Sequence, residues 1–459
     1  MPHLMISAAH KSSGKTTVSI GLCAALGRKG LVVQPFKKGP DYIDPLWLGQ
    51  AAGRPCYNLD FHTMEGREIV ELIARRMAGA DIGVIEGNKG LYDGLDLDGS
   101  NSNAALAAQL GAPVVLVLDT RGMTRGVAPL ILGYQAFDPQ IRIAGVILNS
   151  VGGPRHESKL RRVIEHYTDV RVVGAVPRND EVRIEERHLG LMPSNEAEAA
   201  QARIDRIADH VGANVDLDRL LEIAALAPPL PEPSPASPPP PVASVRIAIA
   251  RDAAFGFYYP DDLEALQAAG ARLIPFDTLN DPSLPPAEGL FIGGGFPETC
   301  MERLEANVSM RRSIHDFIQS GGAAYAECGG LMYLCRSLSW QGRRCEMVGV
   351  LPADVQMHQK PQGRGYVRLC ETSHHPWEGG RRGVIHAHEF HYSGLDSLDR
   401  TVRFAYRVER GYGVDGRHDG LVFRNLLANY SHMRNVGSND WARRFVAYVA
   451  RTAPSREGD

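Results

Sequence analysis

The sequence has 459 residues, of which 44% are hydrophobic and 22% charged, and its formal net charge is −3. This length exceeds what a single hydrophobic core normally serves, so two or three domains are expected. The near-neutral charge argues against nucleic acid or an anionic membrane surface as a partner. No apolar run approaches the roughly 20 residues that span a bilayer, and no signal-peptide pattern opens the chain. The seven cysteines are scattered and form no Cys-x-x-Cys pair, so a cytoplasmic protein is predicted.

The first strong pattern is a strand, a glycine-containing turn and a helix at residues 4–26. Gly14, Lys15 and Thr16 match the end of a phosphate-binding loop, in which backbone N–H groups wrap the phosphates, the lysine reaches the outer ones and the hydroxyl holds Mg²⁺. The first glycine of the full pattern is replaced by Ala9, so a turn without nucleotide stays open. We predict an ATP site whose phosphates are bound by Ser13, Gly14, Lys15, Thr16 and Thr17.

Short apolar runs then alternate with helical periods along the first half of the chain. Runs within 31–38, 81–86, 113–119, 144–148 and 171–176 predict strands. They are continuous rather than alternating, which is typical of a parallel sheet covered on both faces. With a helical pattern over 196–227, they predict a first α/β domain at residues 1–227.

Proline dominates residues 228–243, and proline at this density can join neither a sheet nor a helix interior. The segment is predicted to be a linker, and a proline-rich ligand for a recognition domain is the alternative. A second α/β pattern occupies 244–450, with strands at 245–250, 271–276 and 289–295 and a strand-turn-helix at 323–331.

Two motifs of the first domain carry carboxylates. Asp41 and Asp44 lie in a proline-punctuated loop just after a predicted strand, Glu86 ends another strand, and Asp93 follows in a glycine-rich loop. Carboxylates at the carboxyl edge of a sheet, beside a phosphate loop, are suited to binding Mg²⁺. For any single aspartate, capping of its own loop is the alternative.

Cys328 is the sharpest signal of the second domain, because it stands where a strand breaks into a helix and is followed by two glycines. Such an elbow exposes a nucleophile and directs backbone N–H groups at it, so a lowered thiol pKa and an oxyanion hole are expected. The oxyanion donors are predicted at Gly294, Gly295 and Gly329, and His432 is the predicted base. A buried structural cysteine is the alternative.

His386 and His388 share one face of a predicted strand, with His391 close behind. Neither of the usual zinc spacings is complete, so a metal site and a histidine-rich surface are both open.

Six motifs, taken together, resemble those of a known family. They are Ser-Gly-Lys-Thr-Thr at 13–17, Gly-Pro-Asp-Tyr-Ile-Asp-Pro at 39–45, Glu-Gly-x-x-Gly-Leu-Tyr-Asp-Gly at 86–94, Arg-His-Leu-Gly-Leu at 187–191, Ala-Glu-Cys-Gly-Gly-Leu-Met-Tyr at 326–333 and His-Glu-Phe-His-Tyr at 388–392. The chain resembles the cobyrinic acid a,c-diamide synthase family, which are glutamine-dependent amidotransferases of corrinoid biosynthesis. Such enzymes join a P-loop ATPase domain similar to dethiobiotin synthetase to a class I, triad-type glutamine amidotransferase domain, both α/β.

The resemblance implies that ATP phosphorylates the a and c acetate carboxylates of cobyrinate, with ammonia supplied by L-glutamine hydrolysis at the second domain. It implies Mg²⁺ held by Thr16, Asp41 and Glu86, and a tetrapyrrole acceptor oriented by Tyr42, Asp44 and Asp93. Cys328, activated by His432, would attack the glutamine amide. Ammonia must reach the acyl phosphate before water does, so close docking of the domains is expected. The third member of the triad is not assigned.

The chain departs from the family pattern at Leu48, at Asn88–Lys89 and at Arg434. The first two lie near the expected acceptor pocket, so a sirohydrochlorin- or sirohaem-type acceptor is the alternative substrate. A partition-type P-loop ATPase switch would carry an extra lysine where His10 stands, and it would not need the second domain. A stand-alone glutamine hydrolase would leave the phosphate loop unexplained. The oligomeric state is open, with a homodimer as one expectation.

Overall fold

The computed structural model describes residues 1–187, 190–195, 200–233, 239–379, 383–399 and 401–453. The chain falls into two units, residues 1–235 and 236–459, and the division lies within the segment predicted as the linker. Residues 234–238 of that segment, and His188 and Leu189 of the fourth family motif, lie outside the described residues. No helix in the described ranges has the length and apolar character that crossing a bilayer requires.

The first unit is built on a seven-stranded parallel sheet of order β3-β2-β4-β1-β5-β6-β7. Strands and helices alternate along the chain, as the sequence pattern predicts. The elements are β1 (His3–Ala8), α1 (Lys15–Arg28), β2 (Val33–Lys38), α2 (Ile43–Ala52), β3 (Tyr57–Leu59), α3 (Gly66–Arg76), β4 (Ile82–Glu86), α4 (Asn103–Leu110), β5 (Val114–Asp119), α5 (Val127–Phe137), β6 (Ile143–Val151), α6 (Pro154–Tyr167), β7 (Arg171–Pro177), the short pair β8 (Glu186–Arg187) and β9 (Gly190–Leu191), α7 (Ala200–Gly212) and α8 (Leu217–Ala224).

The central strands of this sheet are buried along their whole length. Every residue of β1 and of β4 is buried, which explains their continuous apolar runs. The predicted strands are confirmed, and β3 is an addition at the edge of the sheet. Ligands of open α/β sheets bind at the carboxyl ends of the strands, and in this unit β2, β4 and β1 are neighbours.

The second unit has a nine-stranded mixed sheet of order β12-β10-β13-β15-β24-β23-β22-β19-β20, in which the first five strands are parallel and the rest antiparallel. Smaller sheets pair β11 with β14 and join β17, β16, β18 and β21. The elements are β10 (Val245–Ala250), β11 (Phe255–Phe257), α9 (Pro260–Ala268), β12 (Ala271–Phe276), β13 (Gly289–Ile292), β14 (Gly294–Gly295), α10 (Met301–Ala306), α11 (Val308–Gln319), β15 (Ala323–Glu327), α12 (Gly329–Leu334), β16 (Cys335–Trp340), β17 (Arg343–Glu346), β18 (Leu351–Met357), β19 (Gly363–Glu371), β20 (Val384–His391), β21 (Ser393–Asp396), β22 (Arg403–Arg410), β23 (His418–Phe423), β24 (Leu426–Asn429) and α13 (Trp441–Thr452).

An aromatic cluster holds β15 in place on one face of this sheet. The Tyr325 ring stacks on Phe291 with centroids 5.1 Å apart, and it packs against Trp441 at 5.0 Å and Phe445 at 5.8 Å. Each such pair adds about 0.5–1.5 kcal/mol beyond simple burial. β15 is therefore firmly anchored just before it ends at Glu327, one residue before Cys328.

Candidate active sites

The phosphate-loop pattern forms the turn between β1 and α1. Gly14, at the start of α1, has a φ of 85°, which is accessible to glycine at little cost. The Asn149 side chain, from β6, lies directly against it and donates from Nδ2 to the Ser13 carbonyl at 2.9 Å. A Cβ at Gly14 would collide with that side chain. The Asn149 side chain thus supports the loop. The loop leads into the first turn of a 14-residue helix, whose N–H groups can bind anionic phosphate.

Thr16 lies at the centre of a cluster that the carboxyl ends of three neighbouring strands bring together. Its hydroxyl donates to Glu86 Oε1 at 2.7 Å and contacts Asp44 Oδ2 at 3.3 Å. Lys37 is the member that sequence reasoning missed. Its Nζ lies 2.5 Å from Asp44 Oδ2, 3.1 Å from Glu86 Oε1 and 4.0 Å from Asp41 Oδ2, and it is 2% exposed.

Lys37 is a buried counter-ion for these carboxylates. Burial alone would lower the pKa of Lys37, but the charges of Asp44 and Glu86 outweigh it and raise the pKa. Burial also raises the pKa of Glu86, and Lys37 partly offsets that rise. Lys15, at the start of α1, has a pKa lowered by burial and then by the positive charge of Lys37. The site thus places positive side chains, which suit a triphosphate, next to carboxylates, which suit a metal ion.

The other residues predicted for this site differ in what they contact. Asp41 Oδ1 accepts from the N–H groups of Ile43 and Asp44 at 2.9 and 3.1 Å, so it caps the start of α2, while Oδ2 faces Lys37. Tyr42 is 9% exposed at the start of the same helix. Asp93 is exposed and accepts from the Gly90 N–H at 2.9 Å within its own loop. Asp44, predicted to orient the acceptor, contacts the Thr16 hydroxyl and Lys37 and is therefore part of the charged cluster around Thr16.

The implied Mg²⁺ fits the side chains present. A hydroxyl and carboxylate oxygens are the hard donors that Mg²⁺ prefers. In the part of the chain that the structure describes, Glu86 Oε2 is a buried carboxylate oxygen with no hydrogen-bond partner. Such an oxygen is costly to bury unless a cation is available to it.

The second site is organised by Cys328, between β15 and α12. Its backbone has φ 47° and ψ −103°, a strained conformation for a residue with a side chain, and its N–H donates to the Asn429 carbonyl at 2.7 Å. A Cβ at Gly330 would collide with the Ile292 carbonyl of β13, so the strand-to-helix turn requires glycine there. The predicted strand-to-helix turn at Cys328 is present, but its side chain is buried rather than exposed.

The expected low pKa of the Cys328 thiol is wrong for this structure. Cys328 is 7% exposed, and burial followed by the negative charge of Glu298 raises its pKa. The Gly329 N–H lowers it, but by less than burial raises it. In this state the sulfur is a thiol, and a base must remove its proton before it can act as a nucleophile.

His432, the predicted base, follows β24, which is the parallel neighbour of β15. Its Nδ1 lies 3.2 Å from Glu327 Oε2, and its ring stacks on His388 with centroids 4.9 Å apart and planes 18° apart. The His432 N–H donates to the His388 carbonyl at 2.8 Å, which fixes the backbone of this segment. Glu327 is a functional candidate that the sequence motifs did not single out, although it stands next to Cys328.

The three predicted oxyanion glycines converge at the carboxyl ends of β13 and β15. A Cβ at Gly329 would lie 3.0 Å from the Gly295 nitrogen, and one at Gly294 would lie 2.6 Å from His432 Cε1. Only glycine allows these backbones to approach so closely. The Gly293 N–H donates to the Tyr258 hydroxyl at 2.9 Å, which orients the turn that leads to the other two.

The histidines of β20 do not form a surface cluster. His386 is exposed, whereas His388 is 6% and His391 2% exposed. His391 stacks on Tyr430 with centroids 3.9 Å apart, and His388 lies against His432. Within the described ranges, no group of three or more His, Cys, Asp or Glu side chains is arranged to hold a metal ion, either at β20 or among the first-unit carboxylates, where the Lys37 ammonium lies between Asp44 and Glu86.

Two family models cover the two units. Residues 2–186 match an AAA domain, and residues 246–439 match a CobB/CobQ-like glutamine amidotransferase domain. With the phosphate loop of the first unit and the Cys328 elbow of the second, these matches define the class as a P-loop domain joined to a glutamine amidotransferase domain. The predicted fold class is confirmed.

Curated relatives narrow this class to one family. The chain is 48% identical to the cobyrinate a,c-diamide synthase of Magnetococcus marinus over 451 residues, which cover 96% of each chain. It is 43% identical to that of Archaeoglobus fulgidus over 448 residues, 97% of each, and 41% identical to that of Methanosarcina acetivorans over 489 aligned positions, 99% of this chain and 97% of the other. The chain belongs to the cobyrinate a,c-diamide synthase family, and it is a glutamine-dependent carbon–nitrogen ligase.

Proposed function

We propose that this enzyme amidates the a and c acetate carboxylates of cobyrinate, using ATP and L-glutamine, through acyl-phosphate intermediates. The observation that carries the proposal is the cluster of Thr16, Lys37, Asp44 and Glu86 beside the phosphate loop, in a chain whose second unit has a nucleophile elbow. In domain terms, residues 1–227 are the ATP-dependent amidoligase, 228–243 the linker and 244–450 the glutaminase. A cytoplasmic location and a homodimer stay predictions.

In the first unit, the N–H groups of residues 13–17 and the Lys15 ammonium bind the phosphates of ATP. Thr16, Asp44 and Glu86, with Asp41 close by, are the residues that would hold Mg²⁺, which when bound neutralises charge on the phosphates. A carboxylate oxygen of the acceptor attacks the γ-phosphorus, ADP leaves, and an acyl phosphate results. Ammonia then displaces inorganic phosphate and gives the amide.

Lys37 keeps the carboxylates of this cluster close together and adds positive charge beside the path of the phosphoryl group. Its ammonium occupies the space between Asp44 and Glu86, so a divalent cation and Lys37 compete for the same oxygens. Electrostatic stabilisation of this kind is the main contribution a protein makes to phosphoryl transfer.

In the second unit, His432 removes the Cys328 proton and the sulfur attacks the side-chain amide carbon of glutamine. The tetrahedral oxyanion is stabilised by N–H groups of Gly294, Gly295 and Gly329. Collapse of this intermediate expels ammonia, which receives its proton from His432, and leaves a glutamyl thioester. Water hydrolyses the thioester to glutamate and restores the thiol.

The decisive assay combines the purified enzyme with ATP, MgCl₂, glutamine and one tetrapyrrole at a time: cobyrinate, hydrogenobyrinate or sirohydrochlorin. Product mass is read for one or two acid-to-amide conversions, and ADP and inorganic phosphate are measured in the same mixture. We expect two conversions of cobyrinate with one ADP formed for each amide. Amidation of sirohydrochlorin in preference to cobyrinate would overturn the proposal that cobyrinate is the acceptor. Amidation without ADP formation would overturn the proposed acyl-phosphate intermediate.

A further inference from the structure

His432 needs a partner at Nδ1 if Nε2 is to act as a base. In neutral imidazole one nitrogen carries the proton and the other accepts one, and an acceptor at Nδ1 holds the proton there. Glu327 Oε2 lies 3.2 Å from Nδ1, and both side chains are 4% exposed. We propose that Glu327, the residue just before the nucleophile, is the positioning carboxylate of the glutaminase site and completes its triad; this rests on the glutaminase function proposed above.

The second oxygen of Glu327 is fixed independently of the histidine. Oε1 accepts from the Tyr325 hydroxyl at 2.6 Å and from the Met433 N–H at 3.0 Å. Tyr325 belongs to the aromatic cluster that anchors β15, and Met433 directly follows His432. Two donors on Oε1 hold the carboxylate plane so that Oε2 points at the imidazole, which is the pre-organisation a triad acid requires.

Asp419, a buried acid of the neighbouring strand β23, already has different partners. Asp419 accepts N–H groups of Gly420 and Tyr430 with Oδ1, at 2.8 and 2.9 Å, and that of Ser431 with Oδ2, at 2.9 Å. It therefore shapes the backbone just before His432 rather than orienting the imidazole ring.

The position two residues beyond His432 carries a cation rather than an acid. Arg434 is 1% exposed, donates to Asp261 Oδ2 at 2.9 Å and lies over the Tyr259 ring at 4.9 Å. A carboxylate acting on His432 therefore comes from elsewhere in the chain. β15 supplies it, because Glu327 is in register with Asn429 of β24, three residues before the histidine.

The arrangement explains how a buried thiol can react. With the proton held on Nδ1, Nε2 of His432 accepts the Cys328 proton, and the imidazolium that forms lies against the carboxylate of Glu327. In Glu327→Gln the amide oxygen would keep the contacts with Tyr325 and Met433, so its NH₂ would face Nδ1. That contact favours the tautomer with the proton on Nε2, which cannot take a proton from the thiol.

The test compares glutamine hydrolysis with ammonium-chloride-supported amidation in full-length Glu327→Gln. We expect kcat for glutamine to fall about 10³–10⁴-fold, as when a triad acid becomes an amide, with an almost unchanged KM. Amidation with ammonium chloride should stay within about twofold of wild type, which also reports that the variant is folded. Glu327→Asp keeps the charge and should recover at least tenfold over the glutamine variant.

Tyr325→Phe is the matched control, because it removes one contact to Oε1 and leaves the carboxylate against the histidine. It should lose less than tenfold in kcat. The proposal is overturned if Glu327→Gln keeps kcat for glutamine within tenfold of wild type. It is also overturned if the variant loses activity with glutamine and with ammonium chloride together, as the loss of a merely structural residue would cause. If Cys328→Ala still hydrolyses glutamine, it is the glutaminase assignment itself that fails.

Discussion

Replacing Lys37 by Met should destabilise the metal-free first unit, because it removes the buried cation between Asp44, Glu86 and Asp41. Taking one partner from a buried ion pair typically costs about 3–5 kcal/mol. The lower end applies here, since the pKa values of Glu86 and Asp41 are already raised and both groups can take up protons. We expect a loss of about 3 kcal/mol in the free energy of unfolding.

That loss in the free energy of unfolding is large enough to measure by thermal unfolding. For a unit of this size, 1 kcal/mol corresponds to roughly 2–4 °C in Tm, so the transition of the first unit should fall by about 6–12 °C in EDTA. MgCl₂ should then stabilise Lys37→Met more than wild type, because in wild type the metal has to compete with the ammonium for the same oxygens. Differential scanning calorimetry of the full-length protein, with EDTA or MgCl₂, measures both effects.

Lys38→Met is the matched control, since Lys38 is the next residue of β2 and is buried to 8% exposure, but its Nζ donates to the Asn101 carbonyl. It should show the same shift with MgCl₂ as wild type. An unchanged Tm for Lys37→Met in EDTA, or an equal magnesium shift in both proteins, would refute the view that Lys37 takes the place of a metal cation.

Three further outcomes follow from the two sites and from one buried histidine. Cys328→Ala should abolish glutamine-supported amidation and leave ammonium-chloride-supported amidation intact; loss of both would contradict separate sites. Lys15→Ala should lower amidation with either nitrogen source by at least 10³-fold, as loss of a main phosphate-binding charge does in phosphoryl transfer, and unchanged product formation would contradict the ATP site. Burial lowers the pKa of His375 to about 4. The unfolded chain therefore binds the extra proton below its ordinary pKa of about 6.5, and stability is lost as the pH falls through that window. Between pH 7 and 5 the wild type should lose about 2 kcal/mol more than His375→Gln in guanidinium unfolding followed by tryptophan fluorescence, and parallel losses would contradict this assignment.

The fold was predictable from the sequence wherever an apolar run was long enough to indicate a buried strand. Strands such as β1, β4 and β5 are buried along nearly their whole length, and their sequences have few polar residues to obscure the pattern. β3 was missed because it has only three residues with Asn58 in the middle, although all three are buried. In the antiparallel half of the second sheet, only the strand with His386 and His388 was predicted, since strands such as β22 are largely exposed and include several arginines.

The candidate sites were predictable where chemistry is local in the chain. The phosphate loop and the cysteine elbow each lie within about ten residues, and the structure has both geometries. Lys37 and Glu327 were missed because their roles depend on pairing between strands. Lys37 is in register with Glu86 of β4, and Glu327 meets a histidine 105 positions away. The signal that could have found them is a charged residue at the end of an otherwise apolar strand, where a partner must lie on the neighbouring strand.

The end of β15 also limits how this part of the chain can change. Cys328 and Glu327 are consecutive, so the end of one strand positions both groups, and its pairing with β24 fixes how far along the sheet they lie. Insertion or deletion of one residue between the aromatic anchor at Tyr325 and the elbow would move both groups by about 3.3 Å and turn their side chains to opposite faces. Engineers who wish to vary nitrogen delivery should therefore substitute residues here while keeping the number of residues constant, and should place new loops elsewhere.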